Sequence, residues 1–198
     1  MSNSNDLRRA FDEVSASSAG GAPFLIAYGA TFFVTAFLSF VLSRSTTALI
    51  VMFQGGLALP IAFWLERKMS AKRMSADNPL RPLSVQLAMS QALGLPLLIL
   101  VYTLNPVGIP LSMASLGGVH FLPYAWLHRT RIYVAFAVAV SIGAFAMQLL
   151  FKAEAFRYIL FYLPVVYWIT APLVYRHARK ISATPNQAMQ PTAGQLDG

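Results

Sequence analysis

The chain has 198 residues and a formal net charge of +8, yet only 11% of its residues are charged and 57% are apolar. A soluble domain normally carries about a quarter charged residues, so this composition leaves too little polar surface to cover a water-facing globule. Because the chain has no cysteine, disulfides, thiolate metal sites, iron–sulfur clusters and cysteine nucleophiles are excluded.

The N-terminal segment, residues 1–21, comes before the apolar part of the chain and is predicted to be cytoplasmic. Leu7, Phe11 and Val14 fall at i, i+4 and i+7, a spacing that predicts a short amphipathic helix on the inner membrane surface. Arg8-Arg9 resembles the core of a twin-arginine export signal. Two acidic residues soon follow it, and the next apolar run is too long for a cleavable signal, so the surface helix is favoured.

Six long apolar runs come next, and each approaches the roughly 20 residues that a helix needs to cross the hydrocarbon core. None of the runs contains Asp, Glu or Lys, and their only arginine is Arg157, at the start of the sixth. They predict membrane-spanning helices at residues 22–42, 48–65, 84–104, 107–127, 132–151 and 156–175. Residues 22–175 are therefore predicted to form one transmembrane domain, an all-α polytopic bundle of six spans.

The Lys and Arg residues between the runs predict the orientation. Twelve of the fifteen fall on one side, in the N-terminal segment, two alternate loops and the C-terminal tail. Only Arg44, Lys152 and Arg157 fall on the other side. Loops rich in Lys and Arg remain in the cytoplasm, so both termini are predicted to be cytoplasmic, with the bundle in a bacterial inner membrane.

The tail, residues 176–198, is predicted to be cytoplasmic and mostly disordered, because a stretch rich in Pro, Gln, Ala and Gly cannot bury a core. Residues 186–193 resemble short C-terminal extensions found on many unrelated bacterial proteins. That resemblance implies a bacterial source and no particular role for the tail.

A Leu-Pro pair precedes a tryptophan in the second, fourth and sixth runs, at residues 59–64, 122–126 and 163–168. The spacing predicts three related helical hairpins. One interpretation is a set of proline-weakened helices around a central axis, as in transporters built from repeats. The other is ordinary: proline is tolerated in spans, and tryptophan prefers the membrane interface.

Small and polar residues are concentrated in the fourth run, which includes Gly117, Gly118 and His120. Small residues allow helices to approach closely, so this helix is predicted to pack at the centre of the bundle. The third and fifth runs carry similar small residues and are predicted to pack against it, through Ser90, Gly94, Ala135, Ala139 and Gly143.

His120 is the only strongly ionisable side chain well inside a run, and such a residue is a functional candidate by default. Gln91 and Gln86 are expected at a similar depth, with Gln91 as the candidate hydrogen-bond partner of His120, and Tyr162 belongs to an aromatic face of the sixth run. These four residues form the candidate intramembrane polar site. The alternative is a neutral histidine that hydrogen-bonds to a neighbouring helix and only stabilises the packing.

No motif predicts catalysis, a cofactor or a metal site. Paired carboxylates, HExxH, G-x-S-x-G and phosphate-binding loops are absent, and the three histidines are scattered at 120, 128 and 177. No basic, aromatic-interleaved surface lies outside the apolar runs, so nucleic-acid binding is not expected. The lipid bilayer is the expected partner.

We therefore expect an integral inner-membrane protein that is not an enzyme. One hypothesis is a small-solute transporter or channel-like protein that uses the His120 site as a homo-oligomer, since six spans enclose little cavity. A second is an interaction or membrane-organising protein with no solute path. A third is a lipid-acting membrane enzyme that uses His120.

The overall plan resembles an uncharacterised family of small bacterial membrane proteins. The resemblance rests on the short N-terminal stretch Leu7-Arg8-Arg9-Ala10-Phe11 followed by about six spans, and it covers residues 5–180. It implies a helical membrane protein of unknown function, and it supplies no site residues.

Overall fold

The structure is a computed structural model that describes residues 4–70 and 73–183. Within these residues the fold is all-α, as predicted, and contains no strand. The helices are α1 (Ser4–Ser17), α2 (Ala22–Leu38), α3 (Arg44–Phe53), α4 (Gly55–Met69), α5 (Arg81–Ser90), α6 (Leu95–Leu104), α7 (Ile109–Leu127), α8 (Ile132–Val138), α9 (Ala144–Phe151) and α10 (Ala155–Ala183). A π-helical segment, Ala139–Gly143, joins α8 to α9, and 3₁₀ turns occupy four other junctions.

Within the described residues, three helical stretches are long and apolar enough to cross a membrane: Ala19–Leu38, Arg81–Leu104 and Ile132–Ala183. The pair α3 and α4, bent by 40°, would make a fourth if it counts as one span. The predicted second run, residues 48–65, is thus broken at Gln54, and its first helix already begins at Arg44.

The longest of these stretches has 52 residues but reverses direction within it. Lys152, with φ 46° and ψ −108°, ends α9, and α10 then packs back against α9. The stretch therefore comprises two antiparallel helices. The helix α7 does not belong to the apolar set, because its prolines, serines, glycines and His120 lower its hydropathy.

Two turns between helices follow recognised capping chemistry. Ser43 is the N-cap of α3, and its hydroxyl accepts a 3.1 Å hydrogen bond from the Thr46 amide. The Asn105 side-chain oxygen accepts a 3.2 Å bond from the Val107 amide before α7 begins. Each cap satisfies an amide that the helix itself cannot pair.

Two helices, α7 and α10, organise the interior. The helix α10 packs mainly on α2, which also contacts α4, while α7 contacts α3, α5, α6, α8, α9 and α10. The prediction that the fourth run lies at the centre is confirmed. The largest fully buried side chains include Leu25, Ile109, Tyr133, Phe136 and Phe156, contributed by α2, α7, α8 and α10.

Small residues explain some of these close contacts. A side chain at Gly118 would collide with the Ser141 hydroxyl and the Ala137 carbonyl on the neighbouring helix, and one at Gly94 would press on Leu116 of α7. Both contacts agree with the predicted packing of the third and fifth runs on the fourth.

The small residues predicted to mediate that contact from the fifth run face elsewhere. Ala135 is exposed, and Gly143 packs against Tyr162 of α10. The π segment shifts the register of the helix, so the face against α7 is instead built from Phe136, Ala137 and Ser141.

The N-terminal helix is packed against the end of the bundle. Phe11 and Val14 of α1 are buried in a cluster with Leu80 and Leu127, and the Phe11 ring meets the edge of Trp126 at 4.7 Å. Leu7, the first member of the predicted stripe, remains 44% exposed. The apolar face of α1 therefore contacts protein more than it faces outward.

The last helix extends further than the predicted sixth run. Residues 176–183, assigned by the sequence to a disordered tail, continue α10, and Ala178 is buried. A side chain at Gly20 would meet Ala178, so the junction after α1 covers this extra turn of α10. The remainder of the tail, from residue 184, lies outside the described residues.

The three Leu-Pro motifs lie inside α4, α7 and α10, but their tryptophans make different contacts. Trp64 lies beneath the Lys68 ammonium at 4.0 Å, and Trp126 contacts Phe11. Trp168 donates from Nε1 to the Ile26 carbonyl at 3.3 Å. Descent from one hairpin remains a prediction.

Candidate functional site

His120 lies on α7 where that helix meets α5, and its side chain is half-buried. Its Nδ1 is 3.1 Å from the Ser90 hydroxyl. The imidazole also packs beside the rings of Phe121 and Tyr124, with centroids 5.2 and 5.3 Å away. The predicted intramembrane histidine thus joins two helices, with Ser90 rather than Gln91 as its hydrogen-bond partner.

The Ser90 hydroxyl lies within hydrogen-bond distance of two groups. It is 2.8 Å from the Leu87 carbonyl, to which it can donate, and 3.1 Å from Nδ1 of His120. A hydroxyl has a single proton. When that proton is donated to Leu87, the hydroxyl accepts from a protonated Nδ1, and when Nδ1 is unprotonated, the hydroxyl can donate to it instead.

The other predicted members of the site do not join this pair. Gln86 is exposed on α5, and Gln91 is half-buried in the 3₁₀ turn after it. The Tyr162 hydroxyl donates to the Ala139 carbonyl at 2.7 Å, at the start of the π segment. Tyr162 therefore ties α10 to the fifth helical segment, and His120 has a single hydrogen-bond partner among the described residues.

A second histidine is more deeply placed than His120. His128 follows α7 in a short loop and is only 2% exposed. Its Nδ1 is 3.1 Å from the Ser15 hydroxyl of α1, and its carbonyl oxygen is 3.3 Å from Nε2 of His177. Its ring is nearly parallel to that of Tyr133, with centroids 5.4 Å apart. Burial, reinforced by His177 nearby, lowers the pKa of His128 to about 4.

In the sequence, His128 is notable only as one of three scattered histidines. Its burial depends on α1, which is distant in the chain and covers the end of α7. The only local signal was a histidine placed directly after the apolar run, and that signal does not distinguish a buried side chain from an exposed one.

Tyr133, whose ring lies beside His128, also holds the junction between α1 and α2. The Tyr133 hydroxyl donates to the Gly20 carbonyl at 2.6 Å. Ala19, Gly20 and Gly21 all have positive φ, between 50° and 80°, so the chain turns sharply here. A side chain at Gly21 would collide with the Tyr133 hydroxyl, which explains why this position requires glycine.

A further polar contact marks the break between α3 and α4. Gln54 is 5% exposed, and its Oε1 accepts a 2.9 Å bond from the Thr31 hydroxyl of α2. Its Nε2 is buried without a partner among the described residues. The bend in the second run is thus anchored to α2 by a buried amide that is only partly satisfied.

Within residues 4–70 and 73–183, no three His, Cys, Asp or Glu side chains lie close enough together to hold a metal ion. The polar groups described above connect helices to one another through hydrogen bonds.

These features define an all-helical protein with several apolar helices and buried polar contacts between them. The chain belongs to DUF7010, a family of unknown function, whose sequence profile matches residues 6–177. No curated protein and no solved structure matches the chain.

Proposed function

We propose that this protein is an integral membrane protein of a bacterial inner membrane, with six spans, both termini in the cytoplasm and no enzymatic activity. The observation that carries the proposal is the apolar exterior of the helices. Every predicted span exposes at least one large apolar side chain over more than half of its surface: Val34 (56%), Leu57 (64%), Leu93 (82%), Val119 (67%), Ile142 (61%) and Ile169 (61%).

Such a surface is unfavourable in water. Burying apolar surface is worth roughly 25 cal/mol per Å², and soluble monomers rarely expose contiguous apolar patches larger than a few hundred Å². A bilayer would cover these side chains without a partner protein. Several buried hydroxyls bond to carbonyls of their own helix, such as Thr35 and Ser39, and others join neighbouring helices. A hydrocarbon environment favours such internal pairing.

Six spans fit the helices if the bent pair α3 and α4 counts as one span and the reversed stretch is divided into two at its turn. Ala19–Leu38 and Arg81–Leu104 are single stretches. The bent pair α3 and α4 supplies another, and Ile132–Ala183 supplies two, since it reverses at Lys152. The central helix α7 has 19 residues, enough to cross at 1.5 Å per residue when neighbouring helices surround it.

A topology experiment tests this arrangement. Reporter fusions active only in the cytoplasm are inserted at Ser45 and Asn105 on one side, and at Asp77 and Thr130 on the other. We expect activity at Asp77 and Thr130 alone. A cytoplasmic signal at Ser45, or extraction of the protein from membranes by alkaline carbonate, would refute the proposal.

The sequence carries no recognised catalytic motif beside the Ser90 and His120 pair, and this supports a non-enzymatic role. Incubation of the purified protein with labelled phospholipids tests the lipid-acting alternative. Turnover that disappears in both Ser90→Ala and His120→Ala would overturn the non-enzymatic proposal.

A small-solute path at His120 is the second candidate, favoured by one observation. The polar pair His120 and Ser90 joins α7 to α5. Of the three apolar stretches, the one that contains α5 and α6 is the least buried, with only 6% of its 18-residue apolar segment buried. A loosely packed helix beside an intramembrane histidine suits a path for protons or small solutes.

Proton flux into reconstituted vesicles, followed by an internal pH-sensitive dye, tests this candidate. We expect His120→Ala to abolish flux, while Gln86→Ala, an exposed change on α5, the helix that carries Ser90, leaves it intact. Equal flux in the wild type and His120→Ala would exclude a path that depends on this histidine.

A further inference from the structure

A basic cavity lies at the predicted cytoplasmic end of the bundle. It has a volume of about 720 Å³ and lies between the end of α1, the end of α4 and the start of α5. Its lining includes the guanidinium-bearing residues Arg67, Arg73 and Arg81, together with Ser17 and Ser70.

The positive charges of this cavity are not neutralised by their surroundings. Glu66 is the one acidic residue in the lining, against three arginines. The ion pairs of the described residues lie elsewhere, between Arg44 and Glu154 and between Arg129 and Asp12. Three like charges around one cavity repel one another, and an anion within it would relieve that repulsion.

A buried hydroxyl in the same cavity also lacks a partner. The Ser70 Oγ is inaccessible to solvent and makes no hydrogen bond among the described residues. A buried polar atom left unpaired costs free energy, and a ligand oxygen would satisfy it. Arginine forks and serine hydroxyls are the donors that commonly bind phosphate oxygens.

An apolar groove adjoins the basic cavity. It has a volume of about 360 Å³ and is lined by Ala22, Met69, Trp168, Pro172 and Tyr175, among others. Met69 lines the groove and the next residue, Ser70, lines the cavity, so the two concavities lie beside each other at the end of α4.

The groove also runs in the direction a lipid tail would take. From Tyr175 to Trp168 it follows α10 for about 10 Å, at 1.5 Å per residue. That direction leads away from the charged end of α10 and into its apolar part. The cavity and groove together therefore match an amphipathic ligand with a charged head and an apolar tail.

We propose that this composite site binds an anionic phospholipid of the cytoplasmic leaflet, with the headgroup phosphate among the three arginines and one acyl chain in the groove. The inference rests on the proposed membrane location. Basic pockets beside membrane helices on the cytoplasmic side are suited to anionic headgroups, and the groove distinguishes a lipid from a free phosphate.

Lipid retention measures the proposal directly. The full-length protein is purified in mild detergent, exchanged into nanodiscs of phosphatidylcholine with one-fifth phosphatidylglycerol, and the retained lipid is counted by native mass spectrometry. We expect selective retention of phosphatidylglycerol by the wild type. The triple variant Arg67→Gln, Arg73→Gln, Arg81→Gln should retain at least about tenfold less, since each lost charge-assisted contact weakens binding.

A matched triple variant controls for net charge. Arg8→Gln, Arg9→Gln and Arg179→Gln remove the same charge from exposed positions on the same predicted side, and we expect retention close to wild type. Equal losses in both triple variants would show a general surface attraction and overturn the site.

Two further measurements separate the ligand source from the membrane proposal. Pro172→Trp, which narrows the groove at an exposed lining residue, should weaken phosphatidylglycerol retention. Tight binding of inorganic phosphate that Pro172→Trp leaves unchanged, with no lipid selectivity, would identify a free-phosphate site instead. A wild-type protein absent from membranes would overturn both proposals, whereas one in membranes without lipid selectivity would overturn only the lipid site.

Discussion

The Tyr133 hydroxyl donates a 2.6 Å hydrogen bond to the Gly20 carbonyl, across 113 positions of sequence. Tyr133 is fully buried on α8, and Gly20 lies in the tight turn between α1 and α2. The contact therefore attaches the junction after the N-terminal helix to the end of the bundle where α8 begins. It also places α1 over His128, so two polar contacts hold one helix in position.

Tyr133→Phe removes the hydroxyl and retains the ring. We expect the free energy of unfolding to fall by about 1–3 kcal/mol, because the Gly20 carbonyl remains buried without its donor. Thermal unfolding in detergent measures the change. Tyr158→Phe, at an exposed tyrosine, is the matched control and should be neutral. A Tyr133→Phe protein as stable as the wild type would show that another group can satisfy that carbonyl.

Gly21→Ala tests the turn itself. Gly21 has φ 80°, where a side chain is strained, and the added methyl would meet the Tyr133 hydroxyl. We expect a loss of more than about 2 kcal/mol from strain and displacement together. Gly56→Ala is the contrasting change, because it lies inside α4 with nothing within 4 Å of the new methyl. Helix propensity predicts a stability equal to or above that of the wild type there.

Much of the helical layout could be predicted from the sequence, because apolar runs of helical length leave the backbone few alternatives. The central place of α7 followed from its small residues, and Gly118 does meet Ser141 and Ala137. Charge was a poor guide to where the last helix ends. Residues 176–183 carry several basic side chains, yet they remain helical because Ala178 is buried beside Gly20.

The polar contacts were harder to predict, because each joins residues far apart in the chain. Depth in the membrane alone suggested Gln91 as the partner of His120. The rotation of each helix about its own axis instead brings Ser90 within hydrogen-bond distance of His120. The burial of His128 depends on Ser15, 113 positions away. Only the packing of α1 on the bundle end determines that contact, and no local pattern encodes it.

His128 makes stability depend on pH. Its folded-state pKa, about 4, lies below the ordinary value of about 6.5. Between these two pH values the unfolded chain binds a proton at His128 and the folded protein does not. Stability is complete above pH 6.5 and falls as pH drops from 6.5 toward 4, by about 3 kcal/mol in all.

Unfolding temperatures measured between pH 7.5 and 4 check this expectation. His128→Gln, which retains polarity but cannot titrate in this range, should be less stable at neutral pH and show a weaker pH dependence. His120→Gln, at the half-buried histidine of α7, serves as the comparison. A pH profile unchanged by His128→Gln would show that other groups control acid sensitivity.

Glu13 attaches the loop before α5 to α1. Its carboxylate accepts hydrogen bonds from the Ser75 amide at 2.7 Å, the Ser75 hydroxyl at 3.0 Å and Asn78 Nδ2 at 2.7 Å. The Ser75 amide is the main reason that the pKa of Glu13 is lowered. Because the lowered value belongs to the folded state, the contact is complete above pH 4.5 and is lost as pH falls through the folded pKa.

Glu13→Gln should release this loop at neutral pH, because a neutral amide is a weaker acceptor for three donors. We expect a change of less than about 1 kcal/mol in global stability, since the carboxylate is largely exposed. Trypsin cleavage after Arg73, quantified by mass spectrometry, should nevertheless rise several-fold. Asp6→Asn, an exposed change on the same helix, should leave the rate unchanged. If wild type and Glu13→Gln were cleaved equally at pH 7, the carboxylate would not hold the loop. The wild type should also approach the Glu13→Gln rate when the loop is probed with an acid-active protease at a pH below the folded-state pKa of Glu13, because protonation then removes the same acceptor.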